Sequence, residues 1–455
     1  MTTVANTSND RLIRVDAPRL GHVRPFDGLR GIMVLGVVAY HADLIPFLKG
    51  MPLVIDWFFV ASGFLITYLL LDEQNKTKAV SLRNFYTRRV LRLFPAMYAF
   101  LATFSVLAVA ATLLVEDSSE FSNWWVDVLA GSFYVYNFVA AADPGAVSGA
   151  IGHIWSLTVE EQFYFIWPLL LLFALRKARR RTDMRLIVGS VLFIATFFFL
   201  RAHFQYIVSD ASSLNPTFID ENDPTWQGFL YRFASMRPDM IVYGCLIAFV
   251  VRAIPRPVPE RVRMALAVVG PISWIWFVVV LVFANSGIWG FDLWGGPAYQ
   301  LALLLLGPGV IDTYIRAEAW YYKPLANKPF EYLGVRTYGI YLWHVIPVLI
   351  FLPAISNANG MEKLVLASIT TVLGVAVGAG SYRFIERRFL AMKDRFSSLP
   401  PPKSEDAAKV DDADTKVDLR DTGAEPNTSP GDTQLPPAQQ GPADDVPVTD
   451  KPTVP

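Results

Sequence analysis

Apolar runs of membrane-spanning length recur along the chain at 31–48, 52–71, 95–115, 154–175, 186–204, 237–252, 264–284, 297–314, 334–353 and 363–381. Each approaches the roughly 20 residues a helix needs to cross an approximately 30 Å hydrocarbon core. The pattern predicts an all-α, polytopic membrane protein of about ten transmembrane helices, since only helices and closed barrels satisfy every backbone polar group in lipid. One further stretch, Trp124 to Val139, is aromatic and amphipathic and reads as an interfacial or re-entrant piece. No internal repeat is visible, which weighs against the inverted-repeat plan of many transporters.

The polar residues between the runs alternate in sign. One set of connections carries Lys76, Lys78, Arg83, Arg88, Arg89 and Arg92, then Arg176 to Arg185, Arg252 to Arg263, and Arg316 to Arg336; the other carries Glu116, Asp117, Glu120 and Asp127, then Asp210, Asp220, Glu221 and Asp223. Basic loops stay cytoplasmic, so both termini are expected in the cytoplasm of a multi-pass protein of the cell (inner) membrane. The first roughly 30 residues show no cleavable signal peptide. The expected organisation is a cytoplasmic segment 1–24, a transmembrane domain 25–392 and a disordered, acidic, Pro-rich cytoplasmic tail 393–455, whose composition cannot bury enough apolar surface to fold.

Composition adds exclusions. Hydrophobic residues make up 53% of the chain and charged residues 18%, leaving no room for a separate soluble catalytic domain. Lys plus Arg and Asp plus Glu are both 40, so no basic excess argues for nucleic acid. The single cysteine, Cys245, rules out an intramolecular disulfide, a Cys-based zinc site and a CxxC pair. HExxH, Walker A and GxGxxG motifs are absent, and no metal is expected.

Ionisable groups inside apolar runs are costly and therefore candidates for function. Arg30 and His41 are eleven residues apart, close to three helical turns, so they share one face, with His41 about 16 Å deeper than Arg30. Arg30 alone serves equally well as an anchor. Arg89 and Arg92 stand at i and i+3, a spacing at which two guanidinium groups converge on one phosphate-bearing ligand or on lipid headgroups. The fourth run opens with Gly152-His-Ile-Trp-Ser-Leu-Thr-Val-Glu-Glu-Gln-Phe-Tyr164 and places Glu160 roughly 9 Å from the opposite surface, so that His41 and Glu160 could meet. A carboxylate beside an imidazole suits a general base acting on a hydroxyl, and a helix-end polar network is the alternative. His344, Asp56, Ser62 and Asp239 carry weaker signals: Ser62 lacks a nucleophile-elbow context and reads with Gly63 as close packing, and Asp239 as an ion pair with Arg237.

Phe26-Asp-Gly-Leu-Arg-Gly31 with His41, Asp56 to Phe64, the Arg-Arg-x-x-Arg run from Arg88 to Pro95, Trp155 to Tyr164, Tyr338 to His344, and Tyr382 to Glu386 together resemble the membrane-bound acyltransferase 3 family, bacterial O-acyltransferases of cell-envelope glycans and glycolipids. The resemblance covers most of residues 24–390. It implies a cytoplasmic acyl-CoA donor, such as acetyl-CoA, held at Arg30, Arg89 and Arg92, with His41 and Glu160 as the catalytic pair. It implies an extracytoplasmic glycan or glycolipid acceptor, membrane lipid around the protein, and transfer completed by the membrane domain. The rival reading is a lipid-linked sugar transporter or flippase with a buried His/Glu proton relay.

Overall fold

The computed structural model describes residues 23–393 and 396, except 78, 115–122, 177–179, 210–225, 256, 287 and 289–296. The acidic connections at 116–120 and 210–223 and the tail beyond 396 lie outside the described residues. The described chain is helical throughout: α1 (Arg24–His41), α2 (Pro52–Thr77), α3 (Leu82–Leu114), α4 (Trp124–Ser132), α5 (Tyr136–Ala142), α6 (Ile154–Arg176), α7 (Arg180–Ser209) and α8 (Trp226–Ser235). There follow α9 (Pro238–Ala253), α10 (Glu260–Phe283), α11 (Pro297–Ile315), α12 (Lys328–Val335), α13 (Thr337–Trp343), α14 (Val345–Asn357), α15 (Gly360–Ser381) and, after a π-helical turn at Tyr382–Glu386, α16 (Arg387–Lys393).

Seven of the described helices are long and apolar enough to cross a membrane, or nine if two bent pairs, α8 with α9 (41°) and α13 with α14 (43°), are each one span. The about ten expected include α1, whose 18 residues hold Arg24, Asp27 and Arg30. α10 exposes Met264, Val268, Ile272, Ile275 and Val278 along its length, the surface of a helix that meets hydrocarbon. The Trp124–Val139 segment folds as the short helices α4 and α5, broken at Tyr134, whose φ is 54°.

α1 departs from expectation at its end. The apolar pattern continues to residue 48, yet the helix stops at His41, because Asp43 takes a left-handed conformation (φ 58°). There the Asp43 N–H bonds the Tyr40 carbonyl and the Leu44 N–H the Ala39 carbonyl, the paired bonds of a Schellman cap. The Asp43 carboxylate is held by Lys363 of α15 at 2.5 Å. His41 is therefore the exposed last residue of α1 rather than a position inside a continuing helix.

Close helix approach depends on glycine. A Cβ at Gly31 would sit 2.1 Å from the Phe330 carbonyl oxygen, and one at Gly334 would sit 1.9 Å from that of Asp27, so α1 and α12 touch backbone to backbone. Gly63 and Gly244 do the same for α2 and α9, at 1.9 Å from the Ile241 oxygen and 2.1 Å from the Val60 oxygen. Beside this contact, fully buried Arg237 donates to Asp56 at 2.6 Å and to Tyr299 at 2.5 Å, and Tyr299 donates to Asp56 at 2.8 Å. The expected Arg237–Asp239 pair persists as a charge interaction, but the hydrogen bonds of the two go elsewhere. Arg237 adopts a left-handed φ of 56° at the break before α9 and turns to α2, while Asp239 takes Arg201 of α7 in a two-pronged bridge at 2.7 and 2.8 Å.

Candidate active site

A cleft of about 960 Å³, counting its opening to solvent, lies between α1, α2, α3, α6 and α13 and is lined by Arg30, Arg89, Arg92, Glu160, Tyr164 and Ser62 among others. Helical phase explains the arginines: Phe85, Arg89 and Arg92 share a face of α3, and Arg30 reaches the same space from α1. The neighbouring Arg88 is committed elsewhere, to Glu73 at 3.3 Å. Among the described residues neither Arg89 nor Arg92 has an ion-pair partner within 4 Å, and Arg30 has only Asp27, at 3.3 Å.

Tyr164 organises the cleft. The Arg89 guanidinium lies over its ring, 4.7 Å from the centroid, and 5.6 Å from that of Phe85. Its hydroxyl donates to Glu160 at 3.1 Å and shares a very short bond with Ser62. Glu160 feels the charges of Arg89, Arg30 and Arg92, and Glu161 those of Arg89 and Arg92. Three cations in a solvent-connected, otherwise largely apolar cleft, two of them without a carboxylate partner among the described residues, suit a multiply charged anion with an apolar portion.

His41 lies apart from this group. Among the described residues it shares no hydrogen bond with Glu160; its Nδ1 meets Nε2 of His344 at 2.8 Å, and the rings stack with centroids 5.0 Å apart. His153 packs edge-on to His344 at 5.3 Å. Tyr341 joins the two regions. It lines the cleft, its hydroxyl donates to the His153 carbonyl at 3.0 Å and bonds Ser156 at 2.7 Å, and its ring lies 5.7 Å from that of His344.

A family described as an acyltransferase domain matches residues 24–382, from the start of α1 to the π-helical turn. The chain belongs to this family. Among curated relatives, the peptidoglycan O-acetyltransferase OatA of Listeria monocytogenes is 28% identical over 379 residues, covering 80% of this chain and 55% of the relative. The O-acetyltransferase OatA of Staphylococcus aureus is 28% identical over 412 residues, covering 88% and 62%. A putative O-acetyltransferase of the same species is 28% identical over 379 residues, covering 82% and 58%. The chain thus spans little more than half the length of these relatives. No solved structure matches. Within this acyltransferase-domain chain, sequence reasoning gave Tyr164, Tyr341 and His153 no role and Ser62 only a packing role. The signal available for Tyr164 was its place one turn after Glu160 on α6.

Proposed function

We propose that this chain is an integral membrane O-acetyltransferase that takes an acetyl group from cytoplasmic acetyl-CoA and passes it to a hydroxyl of an extracytoplasmic envelope glycan. The observation that carries the reading is the cleft in which Arg30, Arg89 and Arg92 converge, two of them without an ion pair among the described residues. The family membership supports acyl transfer, and the printed names of the relatives, O-acetyltransferases and in one case of peptidoglycan, support the acyl group and the acceptor class.

In this scheme α1 is a tenth span, both termini are cytoplasmic, and residues 25–392 form the membrane domain. The arginine cleft opens toward the cytoplasm and grips the phosphates of the donor, while the Tyr164 ring, itself bonded to Glu160, supports the Arg89 guanidinium. His41, eleven residues and about 16 Å further along α1, lies toward the outer face, where the acceptor arrives. The extended pantetheine arm covers that rise and presents the thioester to His41. The imidazole removes the acceptor's hydroxyl proton, the oxygen attacks the thioester carbonyl, the carbon–sulfur bond breaks, and the departing thiolate takes up the proton. The role first considered for Glu160, partner of the imidazole, passes to positioning the donor site, because its hydrogen bond is with Tyr164 and the charges it feels are those of the arginines.

The test is transfer of radiolabelled acetyl from acetyl-CoA to a peptidoglycan oligosaccharide by the purified full chain in nanodiscs. Formation of an ester-linked, alkali-labile product that His41→Ala abolishes is expected. A folded protein that moves lipid-linked sugar across the bilayer without forming an ester would overturn the reading in favour of transport.

A further inference from the structure

Two helices end where the three histidines meet. α1 stops at His41, and the α13–α14 span bends by 43° at His344. The last turn of a helix leaves carbonyls without intrahelical donors, and here two consecutive ones are taken by imidazoles. Nδ1 of His344 contacts the Tyr341 carbonyl at 2.6 Å, and Nε2 of His153 contacts the Leu342 carbonyl at 3.1 Å. A carbonyl only accepts, so each of those nitrogens carries a proton.

The consequence runs down the chain of rings. Fully buried His344 has no carboxylate bonded to it among the described residues, and an unpaired charge there would be costly, so the ring is neutral and its Nε2 is an acceptor. The 2.8 Å contact with His41 then requires the proton to sit on His41 Nδ1. That leaves the lone pair of His41 on Nε2, at the exposed end of α1, where it has no protein partner among the described residues. His153 cannot substitute as donor to His344, because its own proton is on Nε2 and its Nδ1 is a buried lone pair without a partner. A metal does not explain the cluster, since among the described residues no group of three His, Cys, Asp or Glu side chains is placed to hold one.

We propose that His344 is a positioning residue: held by the Tyr341 carbonyl, it locks His41 in the tautomer that points a bare Nε2 outward, the place that a carboxylate fills in a Ser-His-Asp triad. The proposal rests on the reading of His41 as the base, and adds that its orientation comes from a second imidazole rather than an acid. A rigid acceptor, not a charge, is what His344 supplies.

Two measurements test it. Nitrogen-15 NMR of histidine-labelled protein in nanodiscs is tractable with only five histidines in the chain; the expected spectrum has protonated Nδ1 and bare Nε2 for both His41 and His344. A bare Nδ1 on His41 overturns the proposal whether or not acetyl transfer occurs, so it fails separately from the function above. In kinetics, H344A lowers kcat by about 10²-fold, toward the roughly 10⁴-fold loss that a wrong tautomer causes in a triad, and leaves the KM for acetyl-CoA unchanged. H344Q, whose amide oxygen reaches the position of Nε2, stays within about threefold of wild type, whereas H344L does not. Equal loss in H344Q and H344L, with both proteins folded, overturns the proposal.

Discussion

Replacing Arg89 and Arg92 together by alanine probes the proposed donor site most directly. Among the described residues neither guanidinium has an ion-pair partner, so the double change breaks no internal salt bridge, and most of its effect falls on the ligand. A charge-assisted hydrogen bond contributes about 1.5–3 kcal/mol. One lost at each position removes about 3–6 kcal/mol, which corresponds to roughly 10²–10⁴ in affinity. Titration calorimetry of a non-hydrolysable acetyl-CoA analogue against the nanodisc protein measures this, and the KM for acetyl-CoA should rise in parallel while the KM for the glycan holds. Lysine at both positions keeps the charge but not the planar fork and should fall between. Added salt should weaken the wild type more than the alanine variant. Donor affinity within threefold of wild type in a variant that melts at the wild-type temperature would refute the assignment of these arginines to phosphates.

Three other changes follow from the same geometry. Tyr164→Phe removes the hydroxyl shared by Ser62 and Glu160 while keeping the ring under Arg89; kcat/KM should drop about tenfold, from one lost bond to a carboxylate of about 1.5 kcal/mol, and Ser62→Ala in that background should add little. Gly31→Ala drives a methyl group against the Phe330 carbonyl at 2.1 Å and should cost about 1–3 kcal/mol, seen as a lower melting temperature; an unchanged melt contradicts the close α1–α12 contact. Asp56→Ala strands buried Arg237 and should cost about 3–5 kcal/mol, whereas Asp56→Leu with Arg237→Met should recover most of it, as read by unfolding in mixed detergent.

Much of the helical frame is written in local sequence, because hydropathy and period report on residues close together in the chain. The common face of Arg89 and Arg92 is of this kind: phase alone sets it, though phase says nothing of what they bind. The end of α1 is not, since the apolar run continues past His41 and only the left-handed turn at Asp43, pinned by Lys363 some 320 residues away, stops the helix. Pairing fails in the same way. Arg237 and Asp239 are neighbours in sequence, but the break before α9 turns one toward α2 and the other toward α7. Depth counting brought His41 near Glu160. Tertiary packing instead joined His41 to His344, 303 positions along the chain, and left Glu160 with the arginines.

The length of α1 has one more consequence. In the proposed scheme, with the phosphates gripped at Arg30 and the base at His41, the helix is a ruler about 16 Å long between the turns that bear them. Acetyl phosphate, whose acyl carbon adjoins its phosphate, cannot touch both marks at once. In that scheme coenzyme A can, so the spacing of two residues on one helix would select the donor by reach and leave small activated acetates of the cytoplasm unused.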